Sequence, residues 1–184
     1  MTNDEGQAPG GLLPLALLAL VAGALAGLVG AIFRLSLQEA DHLRDGLIGW
    51  AHGQEAVDFF LVLAVCGGAT AVAAWLVRRH SPHAAGSGIP HVEAVLRGEL
   101  PQAPFNLIPV KFFGGLLAIG AGLALGREGP SVQMGASLAH LVGKVFHRGW
   151  PDCRVLVAAG AGAGLGTAFN APIAGAVFVL EELV

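Results

Sequence analysis

The stretch Gly126-Arg127-Glu128-Gly129-Pro130 lies between two runs of residues that are apolar enough to sit at the depth of a lipid bilayer. An ionisable side chain at that depth is energetically costly, and such residues usually mark a functional site. Glycine permits a close approach of the backbone, and proline suits the first turn of a helix. The stretch therefore predicts a helix that begins inside the membrane at Pro130 and runs to about His147.

A second stretch of the same build, Gly86-Ser87-Gly88-Ile89-Pro90, lies earlier in the chain. The residues that follow, up to Gly98, are too few to cross a bilayer, so a short helix is predicted to start at depth. Its first amides have no partner inside the helix and would form an anion site, to which the Ser87 hydroxyl can donate. We interpret the two stretches as broken helix ends that meet at one ion site. The alternative is an ordinary Gly-Pro turn in which Ser87 caps the helix.

The composition is that of a polytopic α-helical membrane protein. Hydrophobic residues make up 54% of the 184 positions, charged residues only 12%, and there are 28 glycines. The net charge of -3 does not indicate a nucleic-acid partner, and residues 1–10 form a tail too acidic for a signal peptide. Cys66 and Cys153 stand alone, and no histidine has metal-ligand spacing, so neither a metal nor a cofactor is predicted.

Two long apolar segments, Gly11 to Phe33 and Phe59 to Val77, are predicted to cross the membrane. Between them the composition turns polar from Arg34 to Asp58. We interpret this segment as a helix end and a loop at the membrane interface, with Trp50 as an anchor.

Two further membrane segments follow the first Gly-Pro stretch. The segment from Phe105 to Leu125 contains Lys111, which either extends to the interface or lies buried and raises the local positive potential. The segment from Val155 to Leu180 is rich in glycine and is broken at Asn170 to Pro172. It is predicted to form two helices that pack through small residues.

The Glu128 side chain can itself occupy an anion site. A carboxylate at a helix start is itself an anion, so it can occupy the place of a transported ion and release that place when it is protonated. Glu128 could therefore be both a gate and a proton carrier. The alternative is a capping carboxylate that pairs with Arg127. On composition alone, Glu181 and Glu182 are predicted to lie at a solvated helix end.

The order of four motifs resembles the chloride channel and transporter (CLC) family across nearly the whole chain. The motifs are GSGIP at Gly86 to Pro90, PVKFFGG at Pro109 to Gly115, GREGP at Gly126 to Pro130, and AFNAP followed by a Glu-Glu pair at Ala168 to Glu182. The resemblance implies helices B to H of the family fold, an all-α polytopic membrane protein with tilted, broken and re-entrant helices.

The resemblance also implies a role for each motif residue. Ser87 would be an anion ligand of the central site, Glu128 the external gate and proton acceptor, and Glu182 the internal proton-transfer residue. The anion site implied by the motifs comprises Gly86, Ser87, Gly88, Ile89, Pro90, Gly126, Arg127, Gly129 and Pro130.

Two of these positions carry what the resemblance implies about function. In this family a glutamate at the position of Glu182 is typical of proton-coupled exchangers rather than channels. Serine at position 87, in place of the proline of nitrate-selective relatives or the methionine of fluoride exporters, favours chloride. The resemblance thus implies a chloride/proton antiporter. A passive chloride channel gated by voltage or pH is the alternative, and a membrane serine protease using Ser87 or Ser137 with His140 is disfavoured because Ala85 breaks its Gly-x-Ser-Gly motif.

The family also implies a setting for the chain. Its members are dimers in the lipid bilayer with a pore in each subunit, here in a bacterial inner (plasma) membrane, with chloride and protons as partners. Residues 11–184 would correspond to the amino-terminal half of the transmembrane domain. The second, inverted half brings a tyrosine to the anion site, and this chain has no tyrosine. We therefore expect either a fragment that requires its carboxy-terminal half or two copies inserted in opposite orientations.

Overall fold

The computed structural model describes residues 11–51 and 56–183, which contain helices and turns but no β-strand. The predicted tail 1–10 lies outside the described residues. The α-helices are α1 Leu12–Ala51, α2 Ala56–His80, α3 Ile89–Leu96, α4 Leu107–Gly120, α5 Glu128–Val145, α6 Trp150–Phe169 and α7 Pro172–Phe178. A 3-10 turn, Pro82–Ala84, precedes α3, and a π-helical turn, Val179–Leu183, follows α7.

Helices α1 and α2 are long and apolar enough to cross a membrane, as predicted. Only 6% of the apolar window of α2 is buried inside the structure, whereas the core helix of a soluble protein would be mostly covered. The helix end and loop predicted from Arg34 to Asp58 are wrong for the described residues, because α1 continues to Ala51 and α2 begins at Ala56. This part of α1 contains no proline, and Arg44 Nη1 pairs with Asp41 Oδ1 at 2.8 Å, one turn away. Residues 52–55 lie outside the described residues.

Several of the remaining helices are too short to cross a bilayer. Helix α3 has 8 residues and α4 has 14, and at about 1.5 Å per residue neither covers a hydrocarbon core of about 30 Å. Two helices begin earlier than predicted, α5 at Glu128 instead of Pro130 and α6 at Trp150 instead of Val155, whereas α4 covers only Leu107–Gly120 of the predicted segment Phe105 to Leu125. A proline in the first turn is tolerated because the amides there have no helical partner.

Helix α5 forms the centre of the structure. Its residues from Gly129 to Ser137 are all buried, and α6 packs along it at backbone distance. A Cβ at Gly160 would lie 2.5 Å from the Ala139 Cβ and would also collide with the carbonyl oxygen of Gly135. Side chains larger than hydrogen do not fit at this crossing, as in other helix pairs with small residues at the contact.

The break between α6 and α7 lies where the sequence predicted it. Asn170 ends α6 in the left-handed conformation, with φ of 56°, and Pro172 begins α7. Gly162 of α6 lies against the backbone of Gly175 of α7, so the two helices do pack through small residues. The sharp reversal sends α7 back along α6, so that Val179 of the π-helical turn lies against Gly162 in the middle part of α6.

Candidate functional site

The first Gly-Pro stretch forms the turn that starts α3. Gly86 and Gly88 have φ of 69° and 96°, which few residues other than glycine adopt, and Gly88 is the N-cap of the helix. Within the described residues, the N–H groups of Gly86 to Ile89 donate to no backbone carbonyl. Ser87 is exposed between the two glycines. The turn therefore offers several unpaired amides and one hydroxyl, which are the groups that bind an anion.

The second stretch forms the start of α5 in the same way. Gly126 has φ of 71°, and Arg127 is the N-cap. Ser131 returns both its N–H and its Oγ to the Arg127 carbonyl, at 3.2 and 2.9 Å. In the part of the chain that the structure describes, the N–H groups of Gly126 to Gly129 donate to no backbone carbonyl. This helix start also offers unpaired amides.

The fold brings the two helix starts into contact. A Cβ built on Gly129 would collide with the Ser87 carbonyl oxygen and would lie 2.8 Å from its carbonyl carbon. Ser87, Gly126 and Pro130 line one largely apolar cavity of about 430 Å³ between α2 and α4. The two predicted stretches, about forty residues apart in sequence, thus share one wall of a cavity.

Glu128 is the first residue of α5 and is half-buried. Its carboxylate folds back over Gly126, where a Cβ would collide with Oε2. Within the described residues, 11–51 and 56–183, this carboxylate makes no hydrogen bond and no ion pair. In particular, Arg127 does not pair with it. The side chain beside the two helix starts is therefore not tied to another group of the described chain.

Two buried polar side chains hold the first turn. Lys111, 4% exposed, donates from Nζ to the carbonyl oxygens of Ala84 and Gly86, at 3.0 and 2.7 Å. Of the two positions that the sequence left open for Lys111, the structure shows the buried one. Gln133, 1% exposed, donates from Nε2 to the His83 carbonyl at 2.9 Å. Sequence reasoning missed Gln133, for which an amide side chain early in a helix predicted to begin inside the membrane was the available signal.

The other candidate residues lie apart from this contact. Glu182 is exposed in the π-helical turn, whose Leu183 belongs to the same hydrophobic cluster as residues of α3. Ser137 accepts a hydrogen bond from Gln102 at 3.3 Å, and the buried nitrogens of His140 have no hydrogen-bond partner among the described residues, so this pair does not form a serine–histidine dyad. Among the described residues, no group of three or more metal-ligating side chains could hold a metal ion.

Comparison with known proteins identifies similar sequences and structures. Residues 68–184 match the family described as voltage gated chloride channel. The H(+)/Cl(-) exchange transporter ClcA of Cronobacter sakazakii is 43% identical over 178 residues, which cover 93% of this chain and 37% of that protein. ClcA of Vibrio cholerae is 40% identical over 167 residues, which cover 90% and 36%. The chain therefore spans little more than a third of the length of these relatives.

Two solved structures share the fold. The crystal structure of a slow cyanobacterial Cl-/H+ antiporter superposes with a TM-score of 0.89 at 36% identity and covers 97% of this chain and 41% of that one. A CLC-type fluoride/proton antiporter superposes with a TM-score of 0.76 at 29% identity, covering 92% and 40%. The broken helices of this chain are thus arranged as in these antiporters.

Proposed function

The chain belongs to the voltage-gated chloride channel (CLC) family and has its all-α membrane-protein fold, and on that basis we propose that it carries the anion site of a chloride/proton antiporter. The observation that supports this most directly is the contact between Ser87 and Gly129, because it joins two helix starts with unpaired amides. The exchange named in the similar bacterial transporters and in the cyanobacterial structure agrees with such a site.

In this proposal chloride binds at the amides of the two helix starts, near the Ser87 hydroxyl. The Glu128 carboxylate competes with chloride for the same positive potential, since both are anions at a helix start. Protonation removes that attraction, and the side chain leaves with its proton. Glu182, the internal proton-transfer residue in this proposal, then receives the proton.

The setting of the site is also proposed. Residues 11–184 form the first of two inverted halves, and the second half completes the pathway. The whole protein is a homodimer in a bacterial inner membrane. Its substrates are chloride and the proton.

The antiporter is tested by reconstituting the whole protein in liposomes and imposing a chloride gradient. We expect protons to move against their own gradient while a pH-sensitive dye and a chloride electrode record both fluxes. Liposomes without protein and liposomes with equal chloride on both sides are the controls. Chloride flux without proton movement would instead indicate the passive channel.

Proline in place of Ser87 is expected to shift the preference from chloride towards nitrate. Proline lacks both the hydroxyl and the N–H, so two donors to the anion are lost at the exposed residue of the turn. Both anions lose these donors, so the ratio reports only the difference between them; if chloride loses one more hydrogen bond to a charged group than nitrate does, about 1.5 kcal/mol, the chloride-to-nitrate ratio should fall about tenfold. Ser87→Ala, which keeps the N–H, should give an intermediate ratio in the same flux assay. Unchanged ratios in both variants would remove Ser87 from the selectivity site.

A further inference from the structure

The turn that precedes α3 is held by hydrogen bonds to its carbonyl oxygens. Lys111 of α4 donates hydrogen bonds to the carbonyls of Ala84 and Gly86, and Gln133 of α5 donates one to the carbonyl of His83. Both side chains are almost fully buried. Three of the four carbonyls from His83 to Gly86 therefore face protein side chains.

The orientation of these carbonyls matters for an anion. A carbonyl oxygen carries partial negative charge and repels an anion, whereas the N–H groups of the same turn attract it. The amides of Gly86 to Ile89 donate to no backbone carbonyl in the described chain, so they remain free for a ligand. We propose that Lys111 and Gln133 are positioning residues, which turn the carbonyls away from the anion and leave the amides facing it. This inference rests on the proposed function.

Lys111 also carries a charge that needs an anion nearby. A buried ammonium is costly unless an opposite charge compensates it, and two carbonyls compensate it only in part. None of the ion pairs within residues 11–51 and 56–183 includes Lys111, although it lines the same cavity as Ser87 and Pro130. A chloride ion in this cavity would supply the missing negative charge. The bound anion and the buried lysine would thus stabilise each other.

Gln133 fixes the other side of the turn. Its side chain fills the space beside Gly88, where a Cβ would lie 2.7 Å from the Gln133 amide carbon. The hydrogen bond from Nε2 to the His83 carbonyl orients the amide, and its Oε1 is buried with no hydrogen-bond partner among the described residues. Gly88 is the N-cap of α3, so Gln133 holds the helix start itself.

The experiment measures the chloride Kd of the whole purified protein by calorimetry. Lys111→Met should raise the Kd at least about tenfold, which corresponds to about 1.4 kcal/mol. Gln133→Leu, which removes the donor to His83, should raise it about threefold or more. Lys111→Arg keeps donors for both carbonyls and should restore most of the affinity. Lys144→Met, at the exposed end of α5, is the matched control and should leave the Kd unchanged.

The thermal unfolding midpoint of each variant distinguishes a positioning role of Lys111 and Gln133 from a purely structural one. Lys111→Met removes the desolvation cost of a buried ammonium but leaves the carbonyls of Ala84 and Gly86 without a donor, so it should bind chloride less tightly with only a small fall in the unfolding midpoint. If both Lys111→Met and Gln133→Leu kept the Kd within about twofold of the parent, the positioning role would be overturned. A parent protein that binds no chloride would overturn the proposed function as well.

Discussion

Glutamine in place of Glu128 is expected to abolish chloride-driven proton movement while chloride flux continues. The amide has nearly the same size as the carboxyl group but cannot carry the proton. It is also neutral, so it no longer competes with chloride at the start of α5. Proton and chloride fluxes of the whole protein, measured together in liposomes, should show a proton-to-chloride ratio at the background level.

The structure gives a reason for expecting so large an effect. The Glu128 carboxylate has no hydrogen bond and no ion pair within the described residues, and it lies beside the contact between Ser87 and Gly129. A charge near a helix start is stabilised by about 0.3–1 kcal/mol, or up to about 2 kcal/mol when partly buried. Removing that competitor should therefore tighten chloride binding several-fold. Loss of coupling and gain of affinity should appear in the same variant.

The control for this variant is Glu99→Gln, which makes the same chemical change at an exposed acid outside the helices. It should keep the parent ratio of proton to chloride flux. Proton movement at the parent ratio in Glu128→Gln would contradict the gate role, and Glu128 would then be a structural residue at the start of α5.

The broken helices could be predicted from the sequence because their signals are local. Pro90 and Pro130 each follow glycines within five residues, and proline in the first turn needs no distant partner. Asn170 and Pro172 mark the break between α6 and α7 for the same reason. Local chemistry also gave the stretch that carries Glu128. The matching build of the two stretches also suggested that the helix starts meet, and Ser87 does lie against Gly129.

The parts that failed depend on context beyond the local sequence. The polar residues from Arg34 predict a helix end and a loop, but α1 extends past the apolar span and its charged residues pair one turn apart. Polarity indicates that a segment meets water and does not indicate that a helix ends there. Helix α5 begins at Glu128 and not at the predicted Pro130, because proline marks the first turn of a helix without defining its first residue.

The supports of the candidate site were the hardest to predict. Lys111 contacts carbonyls 25 and 27 residues away, and Gln133 contacts one 50 residues away. An apolar run shows that a polar side chain within it is costly but does not show where its partner lies. All three partners here are backbone carbonyls, which every residue has, so no residue type indicates the pairing.

Alanine in place of Gly129 is expected to lower chloride transport at least about tenfold, because the two helix starts can no longer touch. In a helix, alanine is ordinarily favoured over glycine by about 1 kcal/mol. At this position the added Cβ would collide with the Ser87 carbonyl oxygen, and this clash involves backbone that cannot rotate away. Overpacking of this kind costs about 1–3 kcal/mol or more, so the clash outweighs the gain in helix propensity.

The matched control for Gly129 is Gly68→Ala on α2, where nothing lies within 4 Å of the added Cβ. Here only the helix propensity remains, so transport should stay at the parent level and the unfolding midpoint should not fall. The chloride Kd of the folded Gly129→Ala protein separates a lost site from a lost fold, because the clash displaces the Ser87 turn directly. If this variant transported and bound chloride like the parent, Ser87 and Gly129 would not share a site, and the anion-binding proposal would fail with them.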